Sequence, residues 1–141
     1  MAEARSAPSD APERLCLQVG AQRIVVEIDP RLAPRTWEAL RALLPMHSVD
    51  LHYARIAGLE IMFIVPLLLP LENATDVQDL GPGAVAYFPD RQLICLYYGP
   101  LQDEAAMATV LGRVHDLAPL EQVGEQVRRR QGALAEVSVC R

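Results

Sequence analysis

Arg55 is the side chain best suited to binding chemistry in this sequence. It lies in an alternating run, Ser48 to Ile56, in which Leu51, Tyr53 and Arg55 share one face and His52 faces the other way. A guanidinium beside an aromatic ring offers charge-assisted hydrogen bonds next to a flat apolar surface. Arg55 and Tyr53 therefore predict a site for a small ligand with a carboxylate or an amide, or for a short peptide.

Glu60 is the competing partner of Arg55. It follows a turn at Ala57-Gly58, and strand pairing across that turn would bring the two charges together. A buried arginine needs an acceptor, and an Arg55–Glu60 ion pair would leave the guanidinium little capacity for a ligand. The sequence leaves both interpretations open. Glu60 therefore joins Arg55 and Tyr53 as a candidate ligand-binding residue.

The sequence contains no pattern typical of a metal site, a phosphate-binding loop or a catalytic nucleophile. The three histidines, His47, His52 and His115, are too scattered to predict a metal site. The Gly81–Gly83 segment is a turn rather than a phosphate-binding loop, because its central proline removes an N–H donor. No serine stands in a nucleophile-elbow context. We therefore predict no catalytic residue, no bound metal and no cofactor.

The charge distribution argues against nucleic acid as a partner. The chain has a formal net charge of −5, and its one basic run, Arg128–Arg130, is predicted to be a solvated helix end. The longest apolar run, Ile61 to Leu71, is interrupted by prolines and is too short to span a membrane. All basic residues are arginines, which with the high alanine content suggests a GC-rich bacterial genome.

The cysteines predict a reducing compartment. Cys16, Cys95 and Cys140 each lie within an apolar alternating run, as small buried residues do. Their odd number and the absence of CxxC spacing predict free thiols. With no apolar leader segment at the N-terminus, the chain is predicted to be cytoplasmic.

The chain is predicted to form one domain, residues 14–141, behind a disordered tail. The tail, residues 1–13, is rich in alanine, proline, serine and charge. Alternating runs bounded by turn residues predict eight strands, at 14–20, 24–28, 48–56, 59–65, 84–88, 92–98, 107–114 and 134–140. Many short strands without βαβ alternation predict a mainly β fold, a sandwich or a closed barrel.

Two short helices are predicted to flank the strands. Apolar residues at helical spacing between Pro34 and Pro45 predict the first, with Trp37 packed on the sheet. Asp116 is positioned to cap the second, which is predicted to run from Leu117 through Val123.

Six short segments carry a family resemblance: Leu51–Glu60, Pro70–Thr75, Gly81–Gly83, Tyr87–Pro89, Leu96–Pro100 and Gly112–Leu117. In these segments the chain resembles a bacterial family of cyclophilin-like proteins of unknown function, over roughly residues 15–140. The resemblance implies a closed β-barrel of about eight strands flanked by two helices, like that of the peptidyl-prolyl isomerases. It does not imply an activity, because activity belongs to a site and not to a fold.

The active-site pattern of true cyclophilins is incomplete in this chain. Those enzymes use an arginine on a central strand, with phenylalanine and glutamine nearby, over a proline pocket. Arg55 has a comparable position, but Leu51 stands before His52 in place of an aromatic residue, and no Phe-x-x-x-Gln-x-Gly-Asp run follows. We therefore predict a non-catalytic binding module. A prolyl isomerase or another small enzyme is one alternative.

A third alternative is a structural subunit of an oligomer. Leu67–Leu69 stand between Pro66 and Pro70, and three consecutive leucines in an extended segment cannot all face inward. The segment either closes the barrel as a buried element or presents an apolar patch that forms a homodimer.

Overall fold

Nine strands, two α-helices and one 3-10 helix make up the part of the chain that the computed structural model describes, residues 13–54, 58–101, 106–130 and 132–140. The strands are β1 (Glu13–Val19), β2 (Gln22–Ile28), β3 (Met46–Ala54), β4 (Gly58–Ile64), β5 (Thr75–Asp76), β6 (Ala84–Phe88), β7 (Leu93–Leu101), β8 (Met107–Arg113) and β9 (Ala133–Val139). The helices are α1 (Pro34–Ala42), the 3-10 helix (Val77–Asp79) and α2 (Leu117–Arg130). The predicted tail lies outside the described residues except for Glu13, which begins β1.

Eight antiparallel strands close into a barrel. Their order around the wall is β2, β1, β9, β3, β4, β7, β6 and β8, and pairing of β8 with β2 completes the ring. The two-residue strand β5 adds to β8 outside the ring. The predicted closed barrel is confirmed, with β5 as an additional strand. The strand order also places β1 beside β9, so the first and last described strands are neighbours.

Strand alternation fills the barrel interior with large apolar side chains. In β1, for example, Leu15, Leu17 and Val19 are buried in the interior cluster while Arg14 and Gln18 are exposed. The same cluster contains fully buried side chains from the other long strands, including Ile24, Leu51, Phe63, Tyr87, Ile94 and Leu111. The interior is therefore a packed core rather than a ligand cavity.

Helix α1 is capped by a residue distant in sequence. No side chain of its own caps the N-terminus. The carboxylate of Glu72 instead accepts hydrogen bonds from the backbone N–H groups of Thr36, at 2.6 Å, and Arg35, at 3.2 Å. A negative charge at this end is favourable because the helix dipole is positive there. Trp37 is 4% exposed and packs in the interior cluster, as predicted.

Helix α2 is longer than predicted. Asp116 accepts a hydrogen bond from the N–H of Ala118, which agrees with its predicted capping role. The helix then continues past Val123 to Arg130. Gly124 is a poor helix former, yet it lies inside the helix. A glycine fits there because a Cβ at residue 124 would lie 2.4 Å from the ring of Tyr98. The basic run forms the exposed last turn of the helix, as predicted.

The leucines between Pro66 and Pro70 divide between core and solvent. Leu67 is buried, and Leu69 is half-buried against the interior cluster. The hydroxyl of Tyr87 fixes both, donating to the carbonyl of Leu67 at 2.6 Å and accepting from the N–H of Leu69 at 3.2 Å. Leu68 is 80% exposed. The homodimer contact stays a prediction, and of these three leucines only Leu68 is exposed.

Candidate functional site

The three residues of the predicted site do not share one described surface. Tyr53 pairs with Ile61 and packs half-buried against the interior cluster. Glu60 alternates to the outer face of β4, where it pairs with Tyr97 of β7. Arg55 lies outside the described residues, so its predicted anion site and its pairing with Glu60 stay predictions. A single small ligand cannot contact Tyr53 and Glu60 together, because the barrel wall separates them.

Glu60 belongs to a second buried cluster, on the outer face of the barrel wall. Its described apolar members are Met62, Val77, Ala84, Ala86, Cys95, Tyr97 and Ala108. Glu60 itself is 2% exposed, and both it and Tyr97 have partners. Burial, with a smaller contribution from the charge of Glu60, raises the pKa of the Cys95 thiol well above its usual range. This face is packed, and Cys95 is protected as an unreactive thiol.

An open cleft of about 680 Å³ lies elsewhere, on the outer face where β1, β2 and β9 meet the end of α1. Its wall consists of Cys16, Gln18, Arg23, Arg41, Leu44, Pro45, Ser138, Val139 and Cys140. Cys16 and Gln18 face outward because Leu15, Leu17 and Val19 face the core. Ser138 reaches the same face because it pairs directly with Cys16.

Two arginines set the charge of this cleft. The Nε and Nη2 groups of Arg23 lie 3.2 Å and 3.0 Å from Cys16 Sγ. Arg23 makes no ion pair with any described carboxylate. Arg41, in the last turn of α1, pairs with Glu13 at 3.1 Å, and Glu13 also accepts from the indole N–H of Trp37. Among the described residues, Arg41 is therefore paired with a carboxylate and Arg23 is not.

A disulfide between Cys16 and Cys140 forms part of the cleft wall. The prediction of free thiols is therefore wrong for these two cysteines and correct for buried Cys95. The physical reason is the strand order of the sheet, which pairs β9 with β1 and brings together residues 124 positions apart, with 5.2 Å between their Cα atoms. The cytoplasmic location was predicted in part from free thiols; the disulfide removes that part of the argument, and the location stays a prediction.

Sequence reasoning did not identify Arg23, Arg41 or Gln18 as site residues. A partial signal exists, since the predicted inward positions of Ile24 and of Leu15 already place Arg23 and Cys16 outward. The missing information is that α1 and β9 border the same surface, which depends on the topology of the closed barrel.

The Glu72-Asn73-Ala74-Thr75 segment, which stood out in the sequence, has a structural role. Glu72 caps α1, as described above. Asn73 has a positive φ of 47°, and its side chain makes three hydrogen bonds to two residues. Its amide nitrogen donates to the carbonyls of Leu32 and Val110, and its Oδ1 accepts from the N–H of Val110. Thr75 donates to the carbonyl of Asn73 at 2.6 Å. The segment fastens the β5 region to the barrel.

The described histidines lie apart from one another. His47 pairs with Glu136 at 2.6 Å, and His115 lies 3.5 Å from Glu27. No group of three or more histidine, cysteine or acidic residues in the described ranges is placed to hold a metal ion. In the same ranges, no helix has the length and apolar character needed to cross a membrane.

Tyr98 is a buried polar side chain without a described hydrogen-bond partner for its hydroxyl. It packs against Gly124 of α2 and is 8% exposed. Burial, followed by the neighbouring Tyr53 and the charge of Glu125, raises the pKa of Tyr98 from 10.0 to about 12. The folded protein therefore holds this phenol proton more tightly than the unfolded chain does.

We expect Tyr98→Phe to be neutral or stabilising at neutral pH, because the lost hydroxyl has no hydrogen bond to lose. The stability linked to Tyr98 is present below its unfolded pKa of 10.0 and is lost as the pH rises through about 12. Urea unfolding at several pH values should show the wild type weakening more steeply in this alkaline window than the variant. Parallel stability curves for the two proteins would contradict the assignment.

Solved structures that share the fold include those of McbB and of the hypothetical protein AF2241. The structure of McbB in complex with tryptophan superposes with a TM-score of 0.76 and is 19% identical, covering 88% of this chain and 44% of that one. The chain thus spans less than half the length of McbB. The solution structure of the hypothetical protein AF2241 from Archaeoglobus fulgidus gives a TM-score of 0.70 at 23% identity, covering 96% of this chain and 100% of that one.

Sequence comparison identifies the family. Among curated proteins, none matches the chain. A family model described as the Cyclophilin-like family matches residues 17–134, which is most of the sequence. The closed barrel of eight antiparallel strands with two helices is the architecture that the resemblance in the sequence implied. The chain belongs to the Cyclophilin-like family.

Proposed function

We propose that the protein binds a small molecule carrying a carboxylate in the cleft between β1, β2, β9 and the end of α1, without converting it chemically. The observation that carries this proposal is the guanidinium of Arg23, which faces the cleft and has no described carboxylate partner. A carboxylate on Arg23 would supply the missing counter-charge through charge-assisted hydrogen bonds.

The size and walls of the cleft suit such a ligand. Its volume of about 680 Å³ lies within the usual range for small-molecule sites. Leu44 and Pro45 give one apolar wall. Gln18 also lines the cleft, and its amide nitrogen is already bonded to the carbonyls of Gly20, at 2.8 Å, and Gln22, at 3.0 Å. Its orientation is therefore fixed, and its amide oxygen is left as an acceptor for a ligand N–H.

A ligand with both a carboxylate and an amide would use the whole cleft. Its carboxylate would bind Arg23, its amide N–H would donate to Gln18, and its side chain would pack on Leu44 and Pro45. Acylated amino acids and short peptides with a free C-terminus have this combination. McbB, which shares the fold, was solved with tryptophan, a small carboxylate. That case supports small-molecule binding by a chain of this architecture.

The site predicted from the sequence remains a rival proposal. Arg55 could bind the same class of ligand on another part of the barrel, with either Tyr53 or Glu60 beside it. The cleft is favoured because its cationic and apolar groups converge on one open volume, whereas Tyr53 packs on the interior cluster and Glu60 is buried. The two proposals involve different arginines, so one pair of variants separates them.

We expect N-acetylated amino acids to bind the wild type, and Arg23→Gln to weaken that binding about tenfold to a hundredfold. The reason is that hydrogen bonds to a charged group contribute roughly 1.5–3 kcal/mol each. The corresponding amides, which lack the carboxylate, should bind the wild type about as weakly as the acids bind the variant. Titration calorimetry on full-length protein measures both effects.

Arg91→Gln is the matched control, because Arg91 is exposed in the turn between β6 and β7, on the opposite wall of the barrel. It should leave the affinity unchanged. Loss of binding in Arg55→Gln with retention in Arg23→Gln would move the site to the position predicted from the sequence. If none of the N-acetylated amino acids binds the wild type at millimolar concentration, the proposed function is wrong.

A further inference from the structure

We propose that the Cys16–Cys140 disulfide is a redox-active site, which exchanges with a low-molecular-weight thiol bearing carboxylates. Cys140 is the sulfur attacked first, and Cys16 is the thiolate that leaves. The inference stands beside the proposed function rather than on it, because exchange needs only Cys16, Cys140 and Arg23. It rests on the exposure of the disulfide in the cleft and on the contact between Arg23 and one of its two sulfurs.

The two sulfurs differ in access and in charge environment. Cys16 is 6% exposed, whereas Cys140, just beyond the end of β9, is half-buried and thus easier to reach from the cleft. Arg23 places two N–H groups at 3.2 Å and 3.0 Å from Sγ of Cys16. A neighbouring guanidinium stabilises a thiolate, and a thiol with a low pKa is the better leaving group in disulfide exchange. Both differences select the same direction of attack.

The exchange is balanced with the thiol as the reductant. An incoming thiolate attacks Sγ of Cys140 and forms a mixed disulfide, while the bond to Cys16 breaks and its electron pair remains on Sγ of Cys16. A second thiolate then attacks the sulfur of the bound small molecule and releases Cys140 as a thiolate, which takes a proton from water. Two small thiols are oxidised to one disulfide, and the protein disulfide is reduced to two thiols.

The barrel does not depend on this bond for the junction of β1 and β9. The two strands pair through four consecutive positions, from Leu15 opposite Val139 to Gln18 opposite Glu136. In addition, the N–H of Cys140 donates to the carbonyl of Arg14 at 2.9 Å. The strand junction therefore stays hydrogen-bonded when the sulfurs separate. Cys95 does not take part, because it is 2% exposed in the outer-face cluster containing Glu60.

The charge of the cleft favours an anionic thiol. Arg23 and Arg41 both line it, and only Arg41 is neutralised by a described carboxylate. A cationic cleft raises the local concentration of anionic reactants. Glutathione, which carries two carboxylates, is therefore a better probe than the cationic thiol cysteamine. Their rates are compared after each is normalised to its reaction with an unstructured disulfide.

The test uses full-length oxidised protein under native conditions. We expect glutathione to reduce the disulfide while the fold, followed by circular dichroism, is retained, and its normalised rate to exceed that of cysteamine. In Cys16→Ser, whose Cys140 is a free thiol, oxidised glutathione should form a stable mixed disulfide on Cys140 and release one reduced glutathione, as peptide mapping by mass spectrometry would show. Resistance to glutathione until the protein unfolds would overturn the proposal and identify a purely structural disulfide.

Arg23 is tested through the free thiol of Cys16 in Cys140→Ser. Adding Arg23→Gln should slow alkylation of Cys16 by iodoacetamide about tenfold at neutral pH and move the midpoint of its pH profile upward. Adding Arg91→Gln, which removes an exposed arginine on the opposite wall of the barrel, should leave the profile unchanged. If the Arg23 variant does not fold, the profile of Cys140→Ser alone decides: a midpoint at or above about 8.5, the value for free cysteine, overturns the proposal.

Discussion

Gly112→Ala is expected to destabilise the protein by about 3 kcal/mol or more, at the upper end of the usual cost of overpacking. A Cβ on residue 112 would lie 2.0 Å from the carbonyl oxygen of Glu27, 2.9 Å from its carbonyl carbon and 3.0 Å from the Cα of Ile28. All three are backbone atoms of β2, which cannot move aside as the end of a flexible side chain can. Urea or guanidinium unfolding followed by circular dichroism measures the change.

The cost is high because Gly112 lies where the barrel closes. It pairs with Ile28 of β2 on one side and with Val85 of β6 on the other, next to an irregularity in register. The β2–β8 pairing that completes the ring consists of only two described positions, at Arg113 and Gly112. A methyl group at this point would force β2 and β8 apart and open the wall.

Gly81→Ala is the matched control. Gly81 has no positive φ, and the nearest atom to its added Cβ would be Nη1 of Arg113, at 3.8 Å. The same substitution should therefore change the free energy of unfolding by less than about 1 kcal/mol. Equal stability of Gly112→Ala and wild type would show that β2 and β8 can separate at little cost, and the account of closure would be wrong.

The positions of the strands could be predicted from the sequence because alternation is a local signal. The hairpin of β6 and β7 and the strand containing Leu51 and Tyr53 follow directly from which residues are apolar. The closed barrel itself came from the family resemblance. The role of Gly112 could not be predicted from alternation, because a glycine within a strand indicates only that the strand is less stable at that position. Its contact with Glu27 depends on a partner strand 85 positions earlier in the chain.

For the candidate site, the sequence predicted the kind of ligand, a small carboxylate bound by an arginine, but not the residues that line the cleft. The sequence predicted a binding arginine at Arg55, beside Tyr53, whereas the described cleft is lined by Arg23 and Arg41. Contacts that join distant segments lie beyond local patterns. The Cys16–Cys140 disulfide and the extension of α2 past Gly124 depend on such contacts, which no local spacing reports.

Replacement of Asn73 has the second of the largest expected effects, because its side chain makes three hydrogen bonds to two separate segments, at Leu32 and at Val110 of β8. Its amide nitrogen donates to the carbonyl of Leu32 at 2.7 Å and of Val110 at 3.0 Å, and its Oδ1 accepts from the N–H of Val110 at 2.9 Å. Asparagine also tolerates the positive φ of 47° better than most residues do. We expect Asn73→Ala to cost about 2–4 kcal/mol, measured by chemical unfolding.

Two further variants separate the hydrogen bonds from the backbone conformation. Asn73→Gly removes the same hydrogen bonds but adopts a positive φ without strain, so it should recover about 1 kcal/mol relative to alanine and no more. Thr75→Val removes only the hydroxyl bonds to Asn73 and should cost about 1 kcal/mol. If Asn73→Gly is as stable as the wild type, the side-chain bonds contribute nothing net. The β5 region would then be held by the packing of Val77, which is fully buried in the outer-face cluster, and by its pairing with β8.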